Sequence, residues 1–366
     1  MAGIYLHIPF CPSRCSYCDF YSTTSLDKRH DYVQALVVEM KLRKNELANQ
    51  QISTVYFGGG SPSTLDTESF QKLFDSLYNH FDIATNAEIT VEANPDDLNK
   101  KRLEDWKSLP VNRLSVGIQS FNDEELRLLN RRHTAQTAID CIHQARQSGF
   151  DNISIDLMYG LPIQTMETWI SSIEEALRLQ TQHISGYHLS YEPGTKMYRL
   201  RHKAVDEELS EKMFMELRHR LQQAGYYQYE ISNYALPGRE SKHNSAYWNG
   251  TPYLGLGAAA HSFDGNTRSW NVASIDRYIE ALGRGDRLFE YEQLTDTDRY
   301  NERVMLSLRT AKGIDFQIFN KQKQTELAAK ADKYVQNGLL CYKNNFLVLT
   351  EKGIFVSDSI IRDLME

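Results

Sequence analysis

The chain has 366 residues, 41% of them hydrophobic and 11% aromatic, with a formal net charge of −7. That length exceeds one average domain and suits a barrel-sized unit with a small appendage. The basic runs Lys100-Lys101-Arg102 and Arg131-Arg132 are too short for a nucleic-acid partner, no apolar run reaches the ~18 residues of a membrane span, and the first residues carry no charged region ahead of an apolar one, so a cytoplasmic protein is expected.

Over the first 190 residues short apolar strands alternate with amphipathic helices. Six strands are expected, at residues 4–8, 54–57, 88–92, 113–116, 153–157 and 184–189, with helical stretches such as 28–47, 134–148 and 166–179 between them. This alternation predicts parallel strands with helical crossovers, an α/β fold two repeats short of a closed eight-fold barrel. Val205, Leu209, Met213, Leu217 and Leu221 recur every four residues and predict one more helix with a packing face. Residues 1–225 are assigned to this partial (β/α)6 barrel. Residues 226–271, rich in Gly, Asn, Tyr and Trp, sustain neither period and read as an irregular, functional segment, packed on the barrel and running to about residue 290. From there helices at 299–308 and 325–337 precede a hairpin of 339–342 and 346–349, which suggests a small, mainly helical, winged-helix-like domain at residues 291–366.

Directly after the first strand the chain reads His7-Ile8-Pro9-Phe10-Cys11-Pro12-Ser13-Arg14-Cys15-Ser16-Tyr17-Cys18. The other two cysteines, Cys141 and Cys341, are far away, so the five do not form a disulfide framework and the compartment is expected to be reducing. Three thiolates can hold a [4Fe-4S] cube whose fourth iron stays open to a second molecule. A structural zinc held by the three cysteines and His7 is the alternative. Other strand ends carry Gly58-Gly59-Gly60-Ser61-Pro62-Ser63, Glu92, Gln119 and Asp156. Missing side chains let backbone approach a ligand, and buried polar groups at strand ends need a partner.

This spacing and context closely resemble the radical S-adenosylmethionine superfamily. The resemblance implies a [4Fe-4S] cluster on Cys11, Cys15 and Cys18, with the methionine moiety of S-adenosylmethionine on the open iron. It further implies that Gly59, Gly60 and Ser61 contact the amino group, that Glu92, Gln119, Arg131 and Asp156 hold the carboxylate, ribose or adenine, and that Tyr5 and Tyr17 flank the cluster. Together, Tyr5 to Cys11, Gly58 to Ser63 and Asp156 to Pro162 resemble the oxygen-independent coproporphyrinogen III oxidases and their relatives, over essentially the whole chain. Two branches compete: a decarboxylating oxidase and a heme chaperone. The oxidases carry a further cysteine two residues after the third ligand, where this chain has Phe20, and a long extension ahead of strand one, which here begins at residue 4. The chaperones carry His-Asn-x-x-Tyr-Trp, and this chain reads His243-Asn244-Ser245-Ala246-Tyr247-Trp248.

That branch implies heme as cargo, delivered to respiratory proteins, some of them at the membrane. His243 is then the candidate axial ligand, Lys242 and Arg239 the candidate partners of the propionates, and His261, after the small-residue run 254–260, a second candidate. The alternatives are decarboxylation of the coproporphyrinogen III propionates and radical chemistry on another tetrapyrrole.

Overall fold

The computed structural model describes residues 1–48 and 50–366. Six parallel strands, β1 (Ala2–Ile8), β2 (Ile52–Gly59), β3 (Ile83–Ala93), β4 (Arg113–Gln119), β5 (Ile153–Tyr159) and β6 (His183–His188), form the middle of a twelve-stranded sheet. Each lies beside its successor in sequence, the order of a barrel wall; a doubly wound sheet would reverse direction midway. The crossovers are α1 (Arg29–Arg43), α2 (Thr67–His80), α3 (Lys100–Lys107), the pair α4 (Asp123–Leu128) and α5 (Ala135–Gln147), and α6 (Met166–Arg178). Asp66, Asn99, Thr134 and Thr165 start four of them, each accepting the backbone N–H three residues on. Helix α1 ends at Arg43, short of the expected residue 47, and the chain then turns through Ala48 at a φ of 48°.

The six strands match the sequence expectation, with one added feature. Along each strand one face is apolar and lies under the helices, as with Ile4, Leu6, Val55, Phe57, Val91, Leu114, Val116 and Ile155. The other face is polar. Register aligns Tyr5, Tyr56, Thr90 and Arg113 in one row and Glu92, Ser115, Ser154 and His183 in the next. Strict alternation follows from the two-residue period of a strand, and it lines the concave side of the wall with polar side chains.

The wall does not close on itself. Helix α7 (Glu207–Gln223) follows β6, and its N-cap Asp206 leaves Val205 outside the expected stripe. Then β7 (Tyr227–Gln228) and β8 (Asn233–Ala235) extend the sheet antiparallel at the β6 edge. Helix α8 (Lys242–Trp248) leads to β9 (Tyr253–Leu256), which joins β1 in parallel, and to antiparallel β10 (His261–Phe263) and β11 (Thr267–Asn271). Helix α9 (Ile275–Gly283) and β12 (Phe289–Gln293) complete it. The segment expected to be irregular is therefore a set of short strands and a helix. Strands of two to five residues are too brief for a period to show.

The C-terminal unit comprises α10 (Asp296–Leu308), β13 (Ile314–Asp315), α11 (Lys321–Gln336), the hairpin β14 (Leu340–Lys343) and β15 (Phe346–Leu349), α12 (Glu351–Ile354) and α13 (Ser357–Leu364). It has its own core, including Val304, Leu327, Leu340, Leu347 and Ile360. Among the described residues no helix is long and apolar enough to cross a membrane.

Candidate active site at the strand ends

A cavity of about 380 Å³ opens at the carboxyl ends of β1 to β6 and is lined by Cys11, Cys15, Cys18, Tyr17, Gly59, Gly60, Ser61, Glu92, Gln119, Arg131 and Asp156. The three cysteines and eight of the residues singled out for S-adenosylmethionine or for flanking the cluster meet there; Tyr5 and the heme candidates His243, Lys242, Arg239 and His261 do not line it.

The cysteine loop is tied down away from its thiols. Cys11 N–H donates to Thr23 O and Thr23 N–H to Pro9 O, closing the loop at its base, while Ser16 donates from its N–H to Leu129 O and from its hydroxyl to Leu128 O. Gly60 and Ser61 N–H groups donate to Ile8 O and Phe10 O. A Cβ on Gly60 would stand 2.7 Å from Ile8 O, and one on Gly59, at a φ of 103°, 2.3 Å from the His7 ring. The glycines thus admit the end of β1 as well as any ligand, and they fix the two loops against each other.

A hydrogen-bonded chain then runs between two thiols. The Ser61 hydroxyl points at Cys11 Sγ at 3.9 Å and accepts from Asn94 Nδ2 at 2.8 Å; Arg131 donates to Asn94 Oδ1 at 2.6 Å and to Cys15 Sγ at 3.3 Å. Arg131 also donates to Gly117 O, and its Nε, buried, has no partner. Burial pushes the Cys11 and Cys18 thiols up, and the neighbouring cysteines add to it. A positive group that accepts thiolates relieves both effects.

The residues fit a polynuclear cluster better than a single ion. Among the described residues no three His, Cys, Asp or Glu side chains converge as ligands of one metal. His7, the fourth ligand of the zinc alternative, is buried with both ring nitrogens engaged, Nδ1 with Tyr5 OH at 3.0 Å and Nε2 with Tyr21 O at 2.9 Å.

Two carboxyls face the cavity from β3 and β5. Glu92 accepts from Tyr56 OH at 2.8 Å and from Gly59 N–H at 3.1 Å, yet burial, with Asp156 adding to it, pushes it up to about 7. Asp156 is pushed up to about 6 by burial, against the pull of the Ser185 hydroxyl, Arg113 and Arg131. Gln119 sits in the left-handed region, φ 73°, where the β4 register shifts against β5. A non-glycine residue held there is strained, a hallmark of functional sites. Protonatable carboxyls, a strained amide and a guanidinium with an unused N–H suit a ligand bearing ammonium, carboxylate and hydroxyl groups.

Tyr5 and His243 lie outside the cavity lining. Tyr5 stacks on Tyr56, ring centroids 6.2 Å apart, and bonds to His7, below the cavity. His243 is 2% exposed, with Nδ1 paired to Thr54 Oγ1 at 2.8 Å, Nε2 to Tyr247 OH at 3.0 Å and the ring stacked on Tyr56. The motif folds as helix α8, capped by Ser241, so its histidine and tyrosine fall one turn apart and bind each other. Glu88 accepts the Lys242 and His243 N–H groups and turns that end of the helix into the barrel floor. Burial, with Arg113 adding to it, lowers His243 to about 3. His261, by contrast, stands exposed on β10, stacked on Trp270 with centroids 5.8 Å apart.

Asn94, Arg113, Ser154 and His183 also line the cavity and were not singled out from sequence. For Arg113, Ser154 and His183 the signal was the polar alternation inside β4, β5 and β6, which an apolar reading of buried strands passes over; Asn94 directly follows β3.

The radical SAM superfamily model matches residues 5–176, and the HemN C-terminal domain model residues 294–356. The chain is 34% identical to heme chaperone HemW of Bacillus subtilis, over 98% of both chains, and 32% identical to that of Mycobacterium tuberculosis, over 99% of this chain and 94% of the relative. It is also 32% identical to a bovine mitochondrial radical S-adenosyl methionine domain-containing protein 1, covering 100% of this chain and 87% of the relative. The structure of coproporphyrinogen III oxidase HemN from Escherichia coli superposes with a TM-score of 0.85 at 24% identity, covering 100% of this chain and 90% of the other, and shares the fold. With three cysteines after β1, polar strand ends around one cavity and 32–34% identity to these chaperones over nearly the whole chain, the chain belongs to the HemW family within the radical SAM superfamily.

Proposed function

We propose that the chain is a cytoplasmic heme chaperone that holds heme and hands it to acceptor proteins, respiratory proteins at the membrane among them. Cys11, Cys15 and Cys18 would hold a [4Fe-4S] cluster, with Gly59, Gly60, Ser61, Glu92, Gln119, Arg131 and Asp156 around S-adenosylmethionine and Tyr17 beside the cluster. The cluster would supply an open iron and an electron. The residues of the chain keep the thiols aligned, orient the ligand through Arg131 and Glu92, and exclude water by burial.

The observation that carries the chaperone reading is the family membership together with Phe20, 70% exposed at the position where the oxidases carry another sulfur. For the heme iron, the exposed His261 is the ligand we favour, because its imidazole is free to turn toward a metal while Trp270 offers a flat apolar face.

The test is a hemin titration by absorbance on protein purified without oxygen and with the cluster rebuilt, beside an assay for protoporphyrinogen formation. Stoichiometric hemin binding without turnover of coproporphyrinogen III is expected. His261→Ala should weaken binding by about tenfold or more, and His243→Ala should leave the heme spectrum unchanged. Turnover by the parent protein, or no hemin binding, would overturn the chaperone reading; full binding by His261→Ala would overturn the ligand. Cys15→Ala should abolish the visible iron-sulfur absorption.

A further inference from the structure

A second cavity, of about 240 Å³, lies between the β7–β8 edge of the sheet and the C-terminal unit. Backbone bonds seal its base: Ile231 N–H donates to Arg309 O at 3.0 Å and Ala311 N–H to Tyr229 O at 3.0 Å. Glu230, between those two strands of contact, is 2% exposed, and Tyr234 on β8 is 1% exposed. Both line the cavity, and both keep a polar atom with no partner, Oε1 of Glu230 and the hydroxyl of Tyr234. Arg218 of α7 stands at the same void, its Nη1 paired with the half-exposed Glu351 at 3.5 Å but without a hydrogen bond. Buried polar groups are nearly always satisfied, so the two unsatisfied atoms of Glu230 and Tyr234 around one void mark a place where a partner belongs.

The lining sets the chemistry of that partner. An acid lies deep, cations stand toward the outside in Arg218 and the exposed Lys343, and apolar Leu308, Val348 and Leu349 lie on the small-domain side. An anion alone would face the carboxylate of Glu230, and a cation alone would make no use of the two cations, Arg218 and Lys343, at the mouth. A molecule carrying both charges answers both groups.

We propose that this cleft binds a small α-amino acid with an apolar side chain, its ammonium on Glu230 and Tyr234 and its carboxylate on Arg218 and Lys343. Burial pushes Glu230 up to about 7, the state of a carboxyl that lacks a cationic partner, and an ammonium supplies one. The ligand would join the sheet edge to the C-terminal unit, and none of its contacts belongs to the cysteine-lined cavity.

Titration calorimetry on the full chain tests this with L-leucine, with isoamylamine, which lacks the carboxylate, and with 4-methylpentanoate, which lacks the amine. Leucine should bind with a Kd of about 1 mM or tighter, and either analogue at least about tenfold more weakly. Tyr234→Phe, which keeps the ring, and Arg218→Met should each weaken leucine binding about fivefold or more; Glu230→Gln should abolish it. No heat with leucine up to about 10 mM, equal binding of all three compounds, or unchanged binding by Tyr234→Phe and Arg218→Met would overturn the proposal. If Glu230→Gln does not fold, the other two variants decide.

Discussion

Glu92 holds its place by two donors, and neither offsets its removal from water. Burial and the nearby Asp156 carry it to about 7, against 4.5 for an ordinary glutamate. Between those values the folded chain binds the proton that the unfolded chain has released. Stability therefore falls as pH rises from about 4.5 to about 7 and is level above that, by at most roughly 3 kcal/mol. Glu92→Gln removes this slope. In urea unfolding of the cofactor-free protein, the variant should gain on the parent between pH 5 and pH 8; an equal difference at both would show that Glu92 ionises normally. A carboxyl kept at such a disadvantage is explained by what it binds. Residues of this kind differ in how far they can be read from sequence. The cysteine triplet is local, its ligands three and four residues apart, so spacing alone exposes it. His243 reads differently because its partners, Thr54 at the ring and Glu88 at the backbone N–H, lie 189 and 155 positions away, and only the fold brings them together.

At the scale of elements, α1 is locked to the added strands by a buried ionic network. Arg43 donates to Glu39, Glu46, Gly255 O and the Ser262 hydroxyl, and Glu39 accepts from Gly257 N–H, Tyr278 and Asn271. With Arg43 and Glu39 both hidden from water, removing Arg43 leaves Glu39 a buried charge with neutral donors and a long 3.9 Å contact to Arg287. Arg43→Met should destabilise the chain by about 3–5 kcal/mol in urea unfolding, and adding Glu39→Gln should recover part of that loss. Destabilisation below about 1 kcal/mol would mean that the network is solvated. The same network explains why β9 to β11 could not be foreseen. Strands β1 to β6 announce themselves by four or more residues of pattern with a helix after each. The later strands are held by Arg43, Glu39 and pairing to β1, all far away in sequence, and their own three to five residues carry too little pattern.

Across the whole molecule there are separate apolar cores, one under the large sheet and one within the C-terminal unit. The change from strand-helix alternation to two helices and a hairpin is legible because α10 and α11 are long enough to show their period and Lys343-Asn344-Asn345 marks the turn between two apolar runs, whereas the last helix, α13, completes the small core without a sequence signal that stood out. The units meet through backbone bonds of Ile231, Arg309, Tyr229 and Ala311 beside the Glu230 cleft, through the Arg268–Glu302 pair at 2.7 Å, through Arg303 donating to Asn249 O at 3.0 Å, and through Phe214 against Phe355. Separate cores let one open without the other. Leu327 on α11 is fully buried in the small core. Leu327→Ala should leave a cavity worth about 2–5 kcal/mol. Hydrogen exchange should then quicken in β14 and β15 while the amides of β1 to β6 keep their protection, and the iron-sulfur absorption of the rebuilt protein should be unchanged. If β1 to β6 lose protection in step with the hairpin, the two cores unfold as one, and the junction at Glu230 is a rigid seam.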